Sequence, residues 1–174
     1  MLFTTKNFLS MKIKNLIVSS FVIMLGWLLL TWTFELYSLL IGAGLSILLA
    51  LLFCGKCDLY SEMKLTPKAF VYTFVYFIVF LVELVKANID VTRRVLSPSM
   101  PINPGIVKVE THLKSKMARL ILANSITLTP GTFTIEINEE ALYVHWIDVK
   151  HAEEAKATED LVRKFEKILE VIYE

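Results

Sequence analysis

The residues most able to carry chemistry lie in one short stretch, Ala123 to Thr134, which reads ANSITLTPGTFT. It places three hydroxyl side chains, Thr127, Thr129 and Thr132, around the dipeptide Pro130-Gly131. Three kinds of role fit such a segment: a phosphate-binding loop, a catalytic threonine, or a structural corner without chemistry. Which of these three roles the stretch has determines the class of protein.

The pattern argues against the two chemical roles. A phosphate-binding loop needs a Gly-Lys-Ser/Thr signature and runs from strand to helix, whereas this stretch has one glycine and is predicted to run from helix to strand. A catalytic threonine needs an adjacent base or a free N-terminal amine, and the stretch has neither. Pro130 and Gly131 instead suit the two central positions of a type II turn, with Gly131 at positive φ. The flanking threonines can satisfy backbone groups freed at the helix end.

Cys54 and Cys57 have the CxxC spacing of metal and redox sites. The sequence contains no second cysteine pair, so a four-ligand site would need ligands from another chain. We interpret the two thiols as incidental groups at a membrane edge.

The three histidines, His112, His145 and His151, lie on different predicted elements, with neither HExxH spacing nor a GxSxG turn. His145 and Asp148 end a predicted strand and are expected to point to different faces, because neighbouring strand residues alternate. We therefore predict no catalytic, cofactor-binding or metal-ligating residue, no cofactor, and a protein that is not an enzyme.

Glu83 is the ionisable residue predicted to lie nearest a membrane interior, where charged groups often belong to ion pathways. Lys86 lies one helical turn further on and can pair with it. Glu83, Lys86 and Asn88 are the candidate residues for an ion path or a contact with another subunit.

The elements around these residues are those of a membrane protein. Hydrophobic residues make up 55% of the 174 residues, which exceeds the usual share in soluble chains. Residues 1–100 carry nine Lys/Arg and five Asp/Glu, while residues 101–174 carry nine and twelve, so the two parts have net charges of +4 and −3. No basic stripe interleaved with aromatic residues is present, which argues against a nucleic-acid partner.

Three apolar runs predict two to three transmembrane helices, at about residues 16–34, 36–53 and 69–86. The polar break at residues 31–38 predicts a tight turn between the first two. The third run becomes amphipathic after Val82, so its helix is expected to continue to about residue 95. Residues 1–96 are thus interpreted as the transmembrane region and the proline-rich residues 97–105 as a linker. Lysine placement before and between the spans does not decide which side of the membrane the remainder occupies.

Residues 106–174 predict a small α+β domain in the order strand, helix, strand, strand, helix. Residues 106–111 alternate as a strand does, and Ser115 to about Thr127 reads as a helix. We expect Met117, Leu120, Ile121 and Asn124 to share one face of that helix. Residues 132–137 and 141–147 predict a hairpin, and residues 152–174 an amphipathic helix. The apolar positions of the last helix are Leu161, Phe165, Ile168, Leu169 and Ile172.

The order of these motifs resembles a known family. The runs ELVKANIDVTRRVLSP, INPGIVKVET, ANSITLTPGTFTIEI and LYVHWIDV, followed by a charged terminal helix, are similar to the E subunit of Mrp-type multisubunit sodium/proton antiporters. Related small subunits occur in archaeal energy-converting membrane-bound hydrogenase-type complexes. The most specific part of the resemblance is a motif formed by Asn124, Thr127, Thr129, Pro130, Gly131 and Thr132.

The resemblance implies an accessory integral-membrane subunit that supports assembly and ion exchange without carrying the main ion path. Its expected partners are the other membrane subunits, the lipid bilayer, and the sodium ions and protons that the complex handles. The same resemblance admits the equivalent subunit of an antiporter-like module in a hydrogenase-type respiratory complex. It also implies a multi-pass protein of a prokaryotic cell membrane with a cytoplasmic α+β domain. The alternative from the residues alone is a stand-alone, membrane-anchored ligand-binding domain.

Overall fold

The computed structural model describes residues 2–54, 62–64, 66–151 and 153–174. It divides into two compact units, Met1–Glu62 and Met63–Glu174. The first contains two helices, and the second contains a long helix together with an α+β domain.

The first unit is an antiparallel pair of helices, α1 (Leu2–Thr31) and α2 (Leu36–Cys54). The connection between them, residues 32–35, lies within the predicted turn. The Trp27 indole N–H donates to the Ser38 carbonyl at 3.1 Å and to its hydroxyl at 3.2 Å, which ties α1 to α2 beside the turn. A Cβ atom at Gly42 would lie 2.5 Å from Trp27 Cδ1, so the helices approach closely where α2 has no side chain.

The second unit begins with α3 (Pro67–Leu96). The Thr66 hydroxyl accepts a hydrogen bond from the Ala69 amide at 3.1 Å, and Pro67 occupies the first turn, where its missing N–H costs nothing. The helix ends at Leu96, and its C-cap Ser97 has an extended backbone, as expected of a residue that precedes a proline.

Three antiparallel strands follow: β1 (Gly105–Glu110), β2 (Thr132–Ile137) and β3 (Ala141–Trp146). Their order in the sheet is β1-β3-β2, with the predicted hairpin between β2 and β3. Helix α4 (Lys116–Leu128) connects β1 to β2 and starts at Ser115, whose hydroxyl accepts from the Ala118 amide at 3.0 Å. The predicted order of strand, helix, strand, strand, helix is confirmed.

The buried face of α4 differs from the predicted one. Its buried positions are Ala118, Leu122, Ala123, Ser125 and Ile126. Ile121 packs against the core, but Leu120 is 44% exposed and Asn124 is exposed, so the face that these residues share is not the most deeply buried one. The helix has apolar residues on two stripes, and the stripe with small alanines is the one that packs closely on the sheet.

The C-terminal helix is continuous but irregular. It consists of α5 (Glu154–Thr158), a π-helical turn (Glu159–Arg163) and α6 (Lys164–Tyr173). The predicted apolar stripe is confirmed: Leu161, Phe165, Leu169 and Ile172 are buried, and Ile168 packs beside them. These residues form the core with the inner face of the sheet and the buried face of α4.

Helix α3 packs against this core rather than standing apart from it. Tyr72, Tyr76, Val79 and Phe80 contact the core cluster, and the Tyr76 and Phe165 rings lie 5.9 Å apart between centroids. This packing is why α3 groups with the α+β domain, so that the compact units divide before α3 and not at residues 97–105. The proline-rich segment is itself attached to the sheet, since the Asn103 amide donates to the Ile147 carbonyl at 3.1 Å.

Two helices in the described part of the chain are long and apolar enough to cross a membrane. They are Leu36–Phe53 and Pro67–Leu96, whereas the apolar part of α1, Asn15–Thr31, is shorter. The three spans at 16–34, 36–53 and 69–86 remain predictions.

Candidate functional site

The stretch Ala123–Thr134 forms a helix-to-strand corner that joins α4 to β2. The Thr132 amide donates to the Thr129 carbonyl at 3.2 Å, and Gly131 between them has φ of +90°. This hydrogen bond and the positive φ are those of a type II turn with Pro130 and Gly131 at its centre. The predicted turn is therefore present.

The hydroxyls of the corner are bonded to backbone. Thr129 Oγ1 donates to the Ser125 carbonyl at 2.7 Å, and Thr132 Oγ1 donates to the Ile126 carbonyl at 2.6 Å. Thr127 Oγ1 accepts from the Thr134 amide at 3.1 Å, which links the last turn of α4 to β2. The threonines thus satisfy the groups that a helix end leaves unpaired.

The corner is also tightly packed at Gly131. A Cβ atom there would lie 2.9 Å from Ile147 Cγ2 and 3.4 Å from Val91 Cγ2. The Gly131 carbonyl accepts from the Ile147 amide at 2.8 Å, so the turn continues the pairing of β2 with β3. Glycine is required here both for its backbone conformation and for its small size.

Glu83, the candidate ion-path or contact residue, lies between two lysines. Its carboxylate accepts from Lys86 Nζ at 2.9 Å and from Lys164 Nζ at 2.6 Å, and its side chain is 18% exposed. The pair with Lys86 was expected from the spacing. Lys164, the first residue of α6, was not identified from the sequence, because no local pattern links two residues so far apart in the chain.

Asn88 does not join this cluster. Its side-chain Nδ2 donates to the Leu84 carbonyl at 2.7 Å, one turn back along α3. Of the three candidate residues, the structure therefore brings Glu83 and Lys86 together and leaves Asn88 bonded to its own helix.

A cavity of about 340 Å³ connects the Glu83 cluster with the corner. It lies between α3, residues 129–132 and the C-terminal helix. Its charged lining consists of Glu83, Asp90, Asp160, Lys86, Lys150 and Lys164. Because three acids balance three lysines, the cavity has no net charge that would concentrate either a cation or an anion.

A separate group of ion pairs fixes the far end of α3. Arg94 donates to Asp90 on the same helix at 2.8 Å and lies 2.9 Å from Asp148 after β3. A further Arg94 nitrogen donates to the Pro101 carbonyl at 2.7 Å. Asp148 is thus paired with Arg94, whereas His145 is exposed.

The other candidate groups are separate from one another. His112 Nε2 lies 3.3 Å from an Arg163 nitrogen, and His151 is exposed. Within residues 2–54, 62–64, 66–151 and 153–174, no three His, Cys, Asp or Glu side chains are grouped as a metal site would require. Cys57 lies outside the described residues, and Cys54 is the last residue of α2.

Glu166 is a buried carboxylate that the sequence analysis did not single out. It is 2% exposed and accepts from Thr111 Oγ1 at 2.7 Å, from the His112 amide at 2.6 Å, and from Arg163. Burial alone raises the pKa of this carboxyl, but the three donors outweigh burial and hold the pKa below its ordinary value. Glu166 thereby joins the end of β1 to the C-terminal helix.

Comparison with known proteins identifies a family. A family model described as MNHE, Na⁺/H⁺ ion antiporter subunit, matches residues 20–172. The Na⁺/H⁺ antiporter E1 subunit of Staphylococcus haemolyticus is 33% identical over 91% of this chain and 97% of its own length. The Na⁺/H⁺ antiporter E subunit of Alkalihalophilus pseudofirmus is 46% identical over 53% of this chain and 59% of its own length.

A solved structure extends the comparison to the fold. A chain of the membrane-bound sulfane sulfur reductase, an archaeal respiratory membrane complex, is 39% identical to this chain. The two superpose with a TM-score of 0.80 over 91% of this chain and 99% of the other. The likeness therefore includes the helices as well as the α+β domain.

Proposed function

We propose a function from one premise, which is that this chain belongs to the family of Na⁺/H⁺ ion antiporter subunits. The chain is an accessory integral-membrane subunit of a multisubunit sodium/proton antiporter. It supports assembly and ion exchange and does not carry the main ion path. The observation that carries this proposal is a family match from residue 20 to residue 172, which takes in both compact units.

The side chains support an accessory role. Transporters that act alone build their sites from discontinuous helices with several polar groups at the membrane midplane. Here the one acidic residue within the predicted third span, Glu83, is held by two lysines. The corner threonines are likewise bonded to backbone. Their work is to hold elements together, which is also why we propose that the chain is not an enzyme.

Glu83 and Lys86 are proposed to act in structure, as part of the attachment of α3 to α6, rather than in proton transfer. Replacing Glu83 by Gln removes the charge that both lysines face, so we expect less assembled complex. The exchange rate per assembled complex, measured against pH in membrane vesicles, should stay within about twofold of the wild type, since proton-transfer groups usually contribute 10²–10⁴-fold. A loss of exchange at unchanged complex abundance would assign Glu83 to the ion path instead.

A respiratory complex is the second candidate assembly. It is favoured by the 39% identity and the TM-score of 0.80 to a chain of the sulfane sulfur reductase complex. In that case the chain is the equivalent subunit of an antiporter-like module. In either assembly its partners are other membrane subunits and the lipid bilayer, and sodium ions and protons are handled by the complex.

We further propose a multi-pass protein in the cell membrane of a prokaryote, with its α+β domain in the cytoplasm. Cysteines introduced at Glu139 and Glu159, on the surface of the domain, in a background with Cys54→Ser and Cys57→Ser, test which side of the membrane the domain occupies. A membrane-impermeant maleimide should label them in inside-out vesicles and not in intact cells. Labelling in intact cells would place the domain outside.

Deletion of the gene tests the proposed function. We expect sodium-dependent proton exchange in membrane vesicles to fall, and the remaining subunits to migrate as smaller assemblies on native gels. Complementation with the wild-type gene should restore both. An intact complex with unchanged exchange in the deletion strain would contradict an accessory role in assembly.

Capture of the full-length protein in a mild detergent, followed by identification of its partners, distinguishes between the two candidate assemblies. Mass spectrometry should find antiporter subunits alone in the first case. Iron–sulfur and nickel–iron hydrogenase-like subunits, or those of a sulfur reductase, would indicate the respiratory complex.

A further inference from the structure

Helix α3 has two opposite faces, one of which is attached to the α+β domain along nearly its whole length. The docked face consists of Tyr72, Tyr76, Phe80, Glu83, Val91 and Arg94. Tyr76 Oη lies 2.5 Å from Ser125 Oγ, and the ion pairs of Glu83 and Arg94 hold the second half of the helix. From Tyr72 to Arg94 the docked face extends about 33 Å at about 1.5 Å per residue.

The other face, which we call the outer face, consists of Phe70, Phe74, Ile78, Leu81, Val85 and Ile89. These positions follow the helical repeat at spacings of three and four. All are exposed, from 38% at Leu81 to 78% at Phe70. The outer face contains no charged residue, even after Val82, where the sequence becomes polar.

The charges of α3 lie beside or within the docked face. A rotation of about 100° per residue places Lys68, Lys86 and Arg93 along one edge of the outer face. Glu83 is paired with Lys86, and Asp90 is paired with Arg94. Arg94 is also paired with Asp148 of the domain. The helix therefore has an apolar face with a basic border, which is the pattern of helices that lie in the surface of an anionic membrane.

We propose that α3 lies in the plane of the membrane surface, with its outer face in the lipid and the α+β domain above it, rather than crossing the bilayer. Crossing requires about 20 residues within the hydrocarbon. Every stretch of that length in α3 includes side chains bound to the domain. A crossing would therefore draw the charged Lys164, together with Ser125 or Asp148, into the hydrocarbon, where polar and charged groups are strongly disfavoured.

The occupant of the outer face is a lipid leaflet with anionic headgroups. The basic border matches such headgroups in charge. This inference concerns only how the chain meets the bilayer, and it holds for either of the two candidate assemblies.

Spin-label depth measurements on the full-length protein test the proposal. Single cysteines replace Phe70, Phe74, Ile78, Leu81, Val85 and Ile89 in turn, in a background with Cys54→Ser and Cys57→Ser. Each nitroxide-labelled protein is reconstituted in vesicles of phosphatidylethanolamine and phosphatidylglycerol. Glu139→Cys, on the polar β2–β3 turn, is the control and is expected in water.

An in-plane helix places all six labels at one depth, about 5–10 Å into the boundary between headgroups and acyl chains. They should be accessible to oxygen and protected from a soluble nickel complex. A spanning helix instead gives depths that differ by up to about 15 Å, half the hydrocarbon thickness, with the deepest label in the middle. That result, or labels freely accessible to nickel, would overturn the proposal.

The same labels in the assembled complex test the alternative partner. Lipid contact keeps them mobile and accessible to oxygen. Labels that become immobilised and protected from both reagents would show that another subunit covers the outer face, and the lipid proposal would be wrong.

Discussion

Both the backbone conformation and the packing at position 131 require glycine. Its φ of +90° belongs to the left-handed region, and a Cβ atom would come within 2.9 Å of Ile147. The buried Glu166 has a requirement of another kind: its carboxylate is stable only when hydrogen-bond donors surround it. In both cases one side chain is fixed by neighbours from other elements.

Replacement of Gly131 by Val should destabilise the second compact unit by at least about 1–3 kcal/mol, the usual cost of a strained backbone position. The clash with Ile147 adds to this cost. The measurement is thermal unfolding of the purified protein in detergent. Gly26→Val is the control, because a Cβ atom at Gly26 has nothing within 4 Å. Equal melting temperatures for wild type and Gly131→Val would refute the tight-turn account.

Replacement of Glu166 by Gln should lower stability at neutral pH by about 1.5–3 kcal/mol, the range for hydrogen bonds to charged groups. Because the folded pKa is below the ordinary value of 4.5, the stabilisation is complete above that value and is lost as the pH falls through the folded pKa. Denaturant unfolding at pH 7 and in steps below pH 4.5 measures both effects.

The control for that experiment is Glu159→Gln, at an exposed position of the same helix. It should leave the unfolding midpoint nearly unchanged at each pH. If Glu166→Gln retains the acid sensitivity of the wild type, another carboxyl is responsible for it.

At the scale of elements, helix pairs in this chain meet through small residues and specific polar bonds. The α1–α2 pair uses Gly42 under the Trp27 ring and the bond from Trp27 to Ser38. Helix α3 meets the domain through Tyr76, Glu83 and Arg94. Apolar composition makes each helix suitable for a membrane, but these contacts determine what it packs against.

Gly42→Leu should separate α1 from α2, because the new side chain would occupy the position of the Trp27 ring. We expect lower thermal stability in detergent and faster proteolysis at the residues joining the helices. Gly44→Leu is a matched control on the same helix, since nothing lies within 4 Å of a Cβ atom there. Equal effects of the two substitutions would contradict the close approach at Gly42.

At the scale of the whole molecule, the division into compact units differs from the division by hydropathy. Hydropathy assigns α3 to the membrane region, whereas packing joins it to the α+β domain. The core residues that α3 contacts, including Phe165, would be uncovered without it. The second compact unit, whose core is complete only with α3, therefore begins near Met63.

Two fragments test this division. Residues 63–174 should give a cooperative thermal transition by circular dichroism in mild detergent. Residues 101–174, which lack α3, should unfold at lower temperature or aggregate, because part of the core is exposed. A 101–174 fragment as stable as the longer one would make the proline-rich segment the true boundary.

The sequence by itself determined the features that depend on neighbours along the chain. The type II turn at Pro130-Gly131, the order of strands and helices, and the apolar stripe of the C-terminal helix follow from local conformational preferences and periodicity. The family was also recognisable, because its motifs occur in order along the chain. These features need no knowledge of which distant residues meet.

Only the tertiary structure decided which faces are covered. The buried stripe of α4, the pairing of Glu83 with Lys164, and the burial of Glu166 each depend on contacts between residues from different elements. A hydropathy pattern records that a helix is apolar, but not whether lipid or protein covers it, since both environments favour the same side chains. For α3 the structure assigns one face to the domain and leaves the other, charge-free face exposed.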